Sequence, residues 1–503
     1  MSADMGPLAQ SDSPSLPRLS AGVWWVVAAF ITLEMALSAR YGFFRDELYF
    51  LVASRQHPAP GYVDMLPLAP FLERVSTALF GTNPSAVHVF PALAGGGVVV
   101  FAAITARLLG GGARAQALAA LTTACASVLL TNAHDANSIV FDMLAWSAVI
   151  TFTLVAVRLG RSRAWVGAGL ALGLGLENND LPIMLVGALA IGLLVTGRLR
   201  AVLERWLFLG AVLAVALWAP NLIWQATHGW PEVAMSEALR REHSSAHDYA
   251  LVVVAQVVYI GLAALPLAVV GARRLWRDHA LRFLGIATLL VVLFVIADIP
   301  GRPYYTAGLV PALFAAGAVT LEEVTIRPVH WRRWLLAPPI ASALSIALVL
   351  PVLPEAVLAR FGGFHSINYN LAETVGWPQL ADEVKAAYES LPERQRLGTS
   401  VFTSNYGEAG ALGVYWGSGR GLPPVLSGHN TYWSWGPGHA PDATVLALGS
   451  VAQLRPHFAS CRYAATFRPP HNIDNDENGT QIWVCTGPSG PWASFWAGLR
   501  HLG

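Results

Sequence analysis

Asp46 and Glu47 stand side by side in Tyr41-Gly42-Phe43-Phe44-Arg45-Asp46-Glu47-Leu48-Tyr49-Phe50, among aromatic residues and just past a long apolar run. Adjacent carboxylates at such a boundary are costly unless they are solvated, paired or used. Acids at a helix start complement its dipole; a carboxylate within reach of an attacking hydroxyl can take its proton. Asp64 follows in Gly61-Tyr62-Val63-Asp64-Met65-Leu66, a turn that brings a further acid to the same face. His134, Asp135 and Asn137 mark the end of one apolar run, and Glu177, Asn178, Asn179 and Asp180 the end of another. Asp142 lies inside an apolar run. An acid there is a functional candidate by default, with a carboxylate hydrogen-bonded inside the bundle as the plainer alternative.

The elements that must hold these groups are apolar. Of 503 residues, 54% are hydrophobic and 13% charged, with a mean hydropathy of +0.49 and a net charge of +1. That is about half the charge a soluble domain carries, and the balance excludes a nucleic-acid binder. Runs of spanning length lie at 21–39, 86–109, 115–133, 137–157, 164–177, 181–197, 206–225, 249–271, 281–298, 303–321 and 334–354. They predict a polytopic α-helical membrane protein of about eleven spans. Arg107 and Arg114, Arg158 to Arg163, Arg198 to Arg205, Arg273 to Arg277 and Arg327 to Arg333 all fall on one side, which the positive-inside rule makes cytoplasmic.

Residues 1–20 then read as a disordered cytoplasmic tail and 21–358 as the transmembrane domain, with exterior loops at 40–85 and 226–248. Residues 359–503 read as an extracytoplasmic α/β domain. In it, 378–391 has helical spacing, and 396–402, 443–448, 463–467 and 481–485 look like short strands. Cys461 and Cys485 lie on two of these in an oxidising compartment, a candidate disulfide, whereas Cys125 reads as a packing residue. The acidic run Asp474 to Glu477 reads as a solvated loop.

Phe44-Arg45-Asp46-Glu47-Leu48-Tyr49 with Gly61-Tyr62-Val63-Asp64 resembles the first exterior loop of the dolichyl-phosphate-mannose–protein mannosyltransferase-like family, which has the glycosyltransferase C superfold. Further phrases are similar to its bacterial branch: Pro220-Asn221-Leu222-Ile223-Trp224-Gln225, Gly301-Arg302-Pro303-Tyr304-Tyr305, Tyr406-Gly407-Glu408-Ala409-Gly410 and Ser427-Gly428-His429-Asn430. The resemblance implies an inverting glycosyltransferase on the exterior face of the membrane. Its donor would be a sugar on a polyprenyl phosphate and its acceptor a protein, glycan or lipid. Asp46 falls on the catalytic acid position and Glu47 completes the pair, with Asp142 as a third catalytic candidate. Asp64 and Asp135 join them at the substrate. Arg302, with Tyr304 and Tyr305, would meet the leaving phosphate, since arginine binds phosphate bidentately.

His429 and Asn430 would bind the acceptor, a sugar face being suited by aromatics with a few amides. A divalent cation held by Asp46, Glu47 and His57 would offset the phosphate charge. The family carries lysine where this chain has Asn179, and Lys385 is the only lysine present. Asparagine donates hydrogen bonds there without neutralising charge. Two other functions fit many spans with intramembrane acids: a transporter or flippase, and a non-catalytic binder of lipid-linked sugar. A carrier predicts paired repeats and polar groups at the midplane, and neither pattern is present in the sequence.

Overall fold

In a computed structural model the fold is described for residues 18–242, 264–297, 302–324, 346–361, 368–417, 421–449 and 451–503, with isolated positions between. Among the described residues four helices are long and apolar enough to cross a membrane, namely Pro84–Leu108, Ser138–Leu159, Arg205–Thr227 and Tyr304–Val324. Ala113–Ala124 and Ser127–His134 form a fifth, broken unit, bent by 57°. Shorter apolar helices span Ala21–Leu37, Ala164–Leu176, Leu181–Val195 and Arg282–Ala297. Together these coincide with nine of the eleven expected spans; 249–271 and 334–354 fall partly outside the described residues.

Only 17% of the most apolar stretch of Arg205–Thr227 is buried. Phe208, Val212, Val215 and Ile223 are bare on its surface. A helix apolar on its open side needs hydrocarbon around it. Ser138–Leu159 is the opposite case, with 78% of its equivalent stretch inside the bundle.

Between the first two apolar helices the chain makes two further helices, Arg45–Gln56 and Leu68–Phe80. The first begins because the Glu47 carboxylate reaches back to accept from the Phe44 N–H at 2.9 Å, satisfying a donor the helix leaves orphaned. The linking loop presses on Arg205–Thr227 at Gly61, where a Cβ would stand 2.6 Å from Asn221 Oδ1 and 2.7 Å from the Trp224 ring. Only glycine permits that approach.

The α/β domain is built on a five-stranded sheet, order β2-β1-β3-β5-β4: β1 is Thr399–Thr403, β2 Val425–Ser427, β3 Thr444–Leu448, β4 Phe458–Thr466 and β5 Gln481–Pro488. β1 pairs in parallel with β2 and β3, while β5 runs antiparallel to β3 and β4. β1 and β3 are buried throughout, which accounts for their continuous apolar runs. Four strands lie where the sequence places them; β2 is too short to be read there. Cys461 and Cys485 are register partners on β4 and β5 and are joined by a disulfide. The Trp377–Glu389 helix packs Trp377, Leu380 and Val384 into a core shared with Phe43, Leu48 and Leu51 of the bundle side. The domain therefore sits directly on the Arg45–Gln56 helix.

Candidate functional site

A cavity of about 1050 Å³ lies where the helical bundle meets the α/β domain. Asp46, Asp64, Asn179, Arg302, Tyr304, Tyr305 and Asn430 all line it. Residues predicted from five separate stretches of chain thus share one chamber. Its remaining wall is largely apolar, from Phe50, Leu181, Met184, Leu290 and Phe294 among others.

Asp46 sits deep in the molecule yet keeps part of its surface on the cavity. The Tyr406 hydroxyl donates to its Oδ1 at 2.8 Å. Among the described residues no other hydrogen bond reaches this carboxylate. Burial pushes its pKa above the usual carboxylate range; Arg45 and the Tyr406 hydrogen bond oppose that shift, while Asp64 and Glu47 add to it. Arg45 lies over the Tyr406 ring, 4.9 Å from its centre. Gly410 lets the Tyr406–Ala411 helix lie on Arg45–Gln56, since a Cβ there would come within 2.7 Å of the Leu48 backbone.

Asp64 is held differently. Tyr49 and Thr431 each donate to Oδ1 at 2.7 Å, and Asn430 donates to Oδ2 at 2.7 Å. Burial raises its pKa and these donors lower it again. Asn430 reaches it from a left-handed backbone, φ 49°, which asparagine tolerates better than most residues. Tyr49 stacks between Tyr406 and Tyr432 at 4.7 and 5.7 Å. Asp64 is thus a fixed anchor between loop and domain, whereas Asp46 has lone pairs to spare.

Other candidates are held in structural contacts. Glu47 is fully buried, and besides Phe44 its carboxylate accepts from the Ala136 N–H at 2.8 Å and meets His88 Nε2 at 2.9 Å. It fixes the helix start rather than facing the cavity. Asp142 is buried beside Trp146, away from the cavity wall. Asp135 lies one layer behind the wall, accepting from Asn370 at 2.9 Å, with burial raising its pKa to about 6. His429 backs Tyr406, stacked on it at 4.9 Å, and its Nε2 meets the Gly503 carbonyl at 2.6 Å. Burial lowers its pKa to about 4, so it is neutral. Asn179 Oδ1 accepts from the Leu181 N–H at 3.0 Å, which caps the helix that follows.

The residues expected to hold a metal do not line the cavity together. His57 stacks on Trp435 at 4.1 Å and does not line the cavity with Asp46. Among the described residues, the group spaced for a metal is His365, Glu373 and Asp476. The run Asp474 to Glu477 is likewise no free loop: Asn475 and Glu477 are buried, and Asp476 Oδ2 accepts from Arg45 at 2.8 Å. Tyr406, Arg45, Tyr49 and Thr431 were not singled out by sequence. Their type gives no signal, because Tyr406, Arg45 and Thr431 act through partners more than 350 residues away and Tyr49 only through the loop that brings it Asp64.

Residues 56–224 match the dolichyl-phosphate-mannose-protein mannosyltransferase family. The fold is similar to ArnT from Cupriavidus metallidurans in the apo state, at 18% identity, covering 93% of this chain and 100% of that one, with a TM-score of 0.62. The same values hold for that protein bound to undecaprenyl phosphate. An oligosaccharyltransferase from Archaeoglobus fulgidus is more distant, at 12% identity, 80% and 63% coverage and a TM-score of 0.49. No curated protein matches. The mannosyltransferase-like resemblance read from the motifs is found again in the family match over residues 56–224.

Proposed function

We propose that the protein transfers a sugar from a polyprenyl-phosphate carrier to an acceptor on the extracytoplasmic face, with inversion, and that Asp46 takes the acceptor proton. One observation carries the reading: a carboxylate with a single hydrogen-bond donor faces a large cavity whose other walls hold Arg302, Tyr304 and Tyr305. A cavity of this size and mixed lining suits a sugar phosphate with its first isoprene units. The C. metallidurans protein of the same fold binds undecaprenyl phosphate, which supports a donor of that class.

The chemistry follows from the charges. The acceptor hydroxyl attacks the anomeric carbon while Asp46 receives its proton, and the sugar–oxygen bond to the phosphate breaks. Asp64 is held by three donors, so it orients rather than reacts. The departing phosphate needs positive charge, which Arg302 supplies, and hydrogen bonds, which Asn179 and the two tyrosines supply. The site lacks lysine. That favours, as second reading, a protein that holds lipid-linked sugar without transferring it. Reconstituted protein with radiolabelled polyprenyl-phosphate sugars separates the two. Transfer that survives intact in Asp46→Asn would refute the role of Asp46, and binding without transfer would favour the second reading.

A further inference from the structure

Outside the cavity, three groups from two stretches of the chain converge behind Arg45. His365 Nε2 lies 3.5 Å from Glu373 Oε1 and 3.4 Å from Asp476 Oδ1. The ligand atoms of all three residues lie within 4.8 Å of one another. Donor atoms held about 2.0–2.1 Å from one tetrahedral zinc ion are separated by about 3.4 Å, so the two measured edges have the right length.

A second observation points to a missing cation. Glu373 is completely buried, and its Oε2 has no hydrogen-bond partner. The nearest guanidinium nitrogen, Arg45 Nη1, is 4.0 Å from it, beyond hydrogen-bond reach. His365 Nε2 is also buried without a hydrogen-bond partner. Arg45 is meanwhile engaged at 2.8 Å with the other oxygen of Asp476. One guanidinium therefore faces Asp476 and Glu373 together, with Asp46 and Glu477 close behind. Leaving buried polar atoms unpaired is expensive; a dication would satisfy His365 Nε2 and, held by both oxygens of Glu373, its Oε2 as well, while balancing the excess acid and leaving Oε1 its bond from the Asp476 N–H at 2.8 Å.

We infer that His365, Glu373 and Asp476 bind one divalent cation of the zinc class, with water completing its shell. The side chain of Asp476 is 42% exposed, which leaves a route for the ion. Asp476 would then join the ion through Oδ1 to Arg45 through Oδ2, and Arg45 in turn lies over Tyr406. The site is a clamp: it pins the α/β domain to the first turn of the Arg45–Gln56 helix, behind the reacting carboxylate rather than beside it.

The test uses the full chain in detergent or nanodiscs, stripped with chelator and titrated with Zn²⁺ alone. One equivalent should bind, and Co²⁺ in its place should give the absorption of a four-coordinate site. His365→Ala and Glu373→Gln should each weaken binding by on the order of 100-fold or more, since even outer-sphere changes cost 10–100-fold. Asp474→Asn, an exposed acid two residues from Asp476, should bind as the parent does. His365 is partly exposed, so its variant leaves the domain core intact, and a monodisperse elution profile confirms that. No bound equivalent, or unchanged affinity in folded His365→Ala, overturns the assignment.

Discussion

Tyr406 donates to Asp46 across 360 residues of sequence, at 2.8 Å. The bundle supplies the carboxylate and the α/β domain supplies the group that tunes it. A hydrogen bond to the ionised form stabilises that form, so the tyrosine works against the burial that raises the Asp46 pKa.

Tyr406→Phe should therefore raise the Asp46 pKa further. The base works ionised, so activity is lost first at the acid end, and the acid limb of the pH–rate profile moves up. A hydrogen bond to a charge contributes about 1.5–3 kcal/mol, which corresponds to about 10–100-fold in kcat/KM. The measurement is a pH series of transfer rates; an unmoved limb would dissociate Tyr406 from the reaction.

Asp46→Asn should lower transfer by about 10²–10⁴-fold, the range general bases contribute, while polyprenyl-phosphate binding stays within a few-fold. Single-turnover transfer and equilibrium binding of undecaprenyl phosphate check the two halves separately.

Asp64→Asn should act on stability instead. The amide keeps one acceptor but brings a donor against Tyr49, Thr431 or Asn430, which already donate there. A loss of about 2–3 kcal/mol is expected, read as a lower unfolding midpoint.

Asn179→Lys should tighten undecaprenyl-phosphate binding, and the gain should shrink with salt, because the new charge faces the cavity. Arg302→Ala should do the reverse. Salt-independent affinity in both variants would place the phosphate elsewhere.

The Pro231–Glu242 helix carries a pH signature. Burial raises Glu232 to about 8, with help from Asp180, itself raised to about 6. An acid whose folded pKa lies above its unfolded value stabilises its docked state only while protonated. Stability is thus present at low pH and lost as pH rises from the unfolded value through about 8. The hydrogen-exchange protection factors of 231–242 should fall between pH 6 and pH 8.5, and Glu232→Gln should flatten that fall.

How far the sequence was legible follows from the range of each interaction. Apolar runs are local, so nine spans coincide with helices. The rim was legible because Asn179 and Arg302 stand between successive runs and Asp46 and Asp64 in the loop between the first two. The division of labour within it was not. Adjacent residues on a helix point about 100° apart, and here Asp46 faces the cavity while Glu47 is turned inward. Which one turns inward depends on His88 and Ala136, far along the chain. Asp142 shows the same limit: an acid in an apolar run marks depth, while its distance from the cavity depends on neighbours. Asp476 was misread because a charge run looks solvated until Arg45 is placed against it.

The long separation of Asp46 from Tyr406 also sets a clock. Ribosomes add about 5–20 residues each second, so roughly 20–70 s pass between the synthesis of the acid and that of its tyrosine. During that interval the nascent bundle carries Asp46 without the hydrogen bond from Tyr406. Competence arrives late, as a checkpoint that only a chain with a folded α/β domain passes.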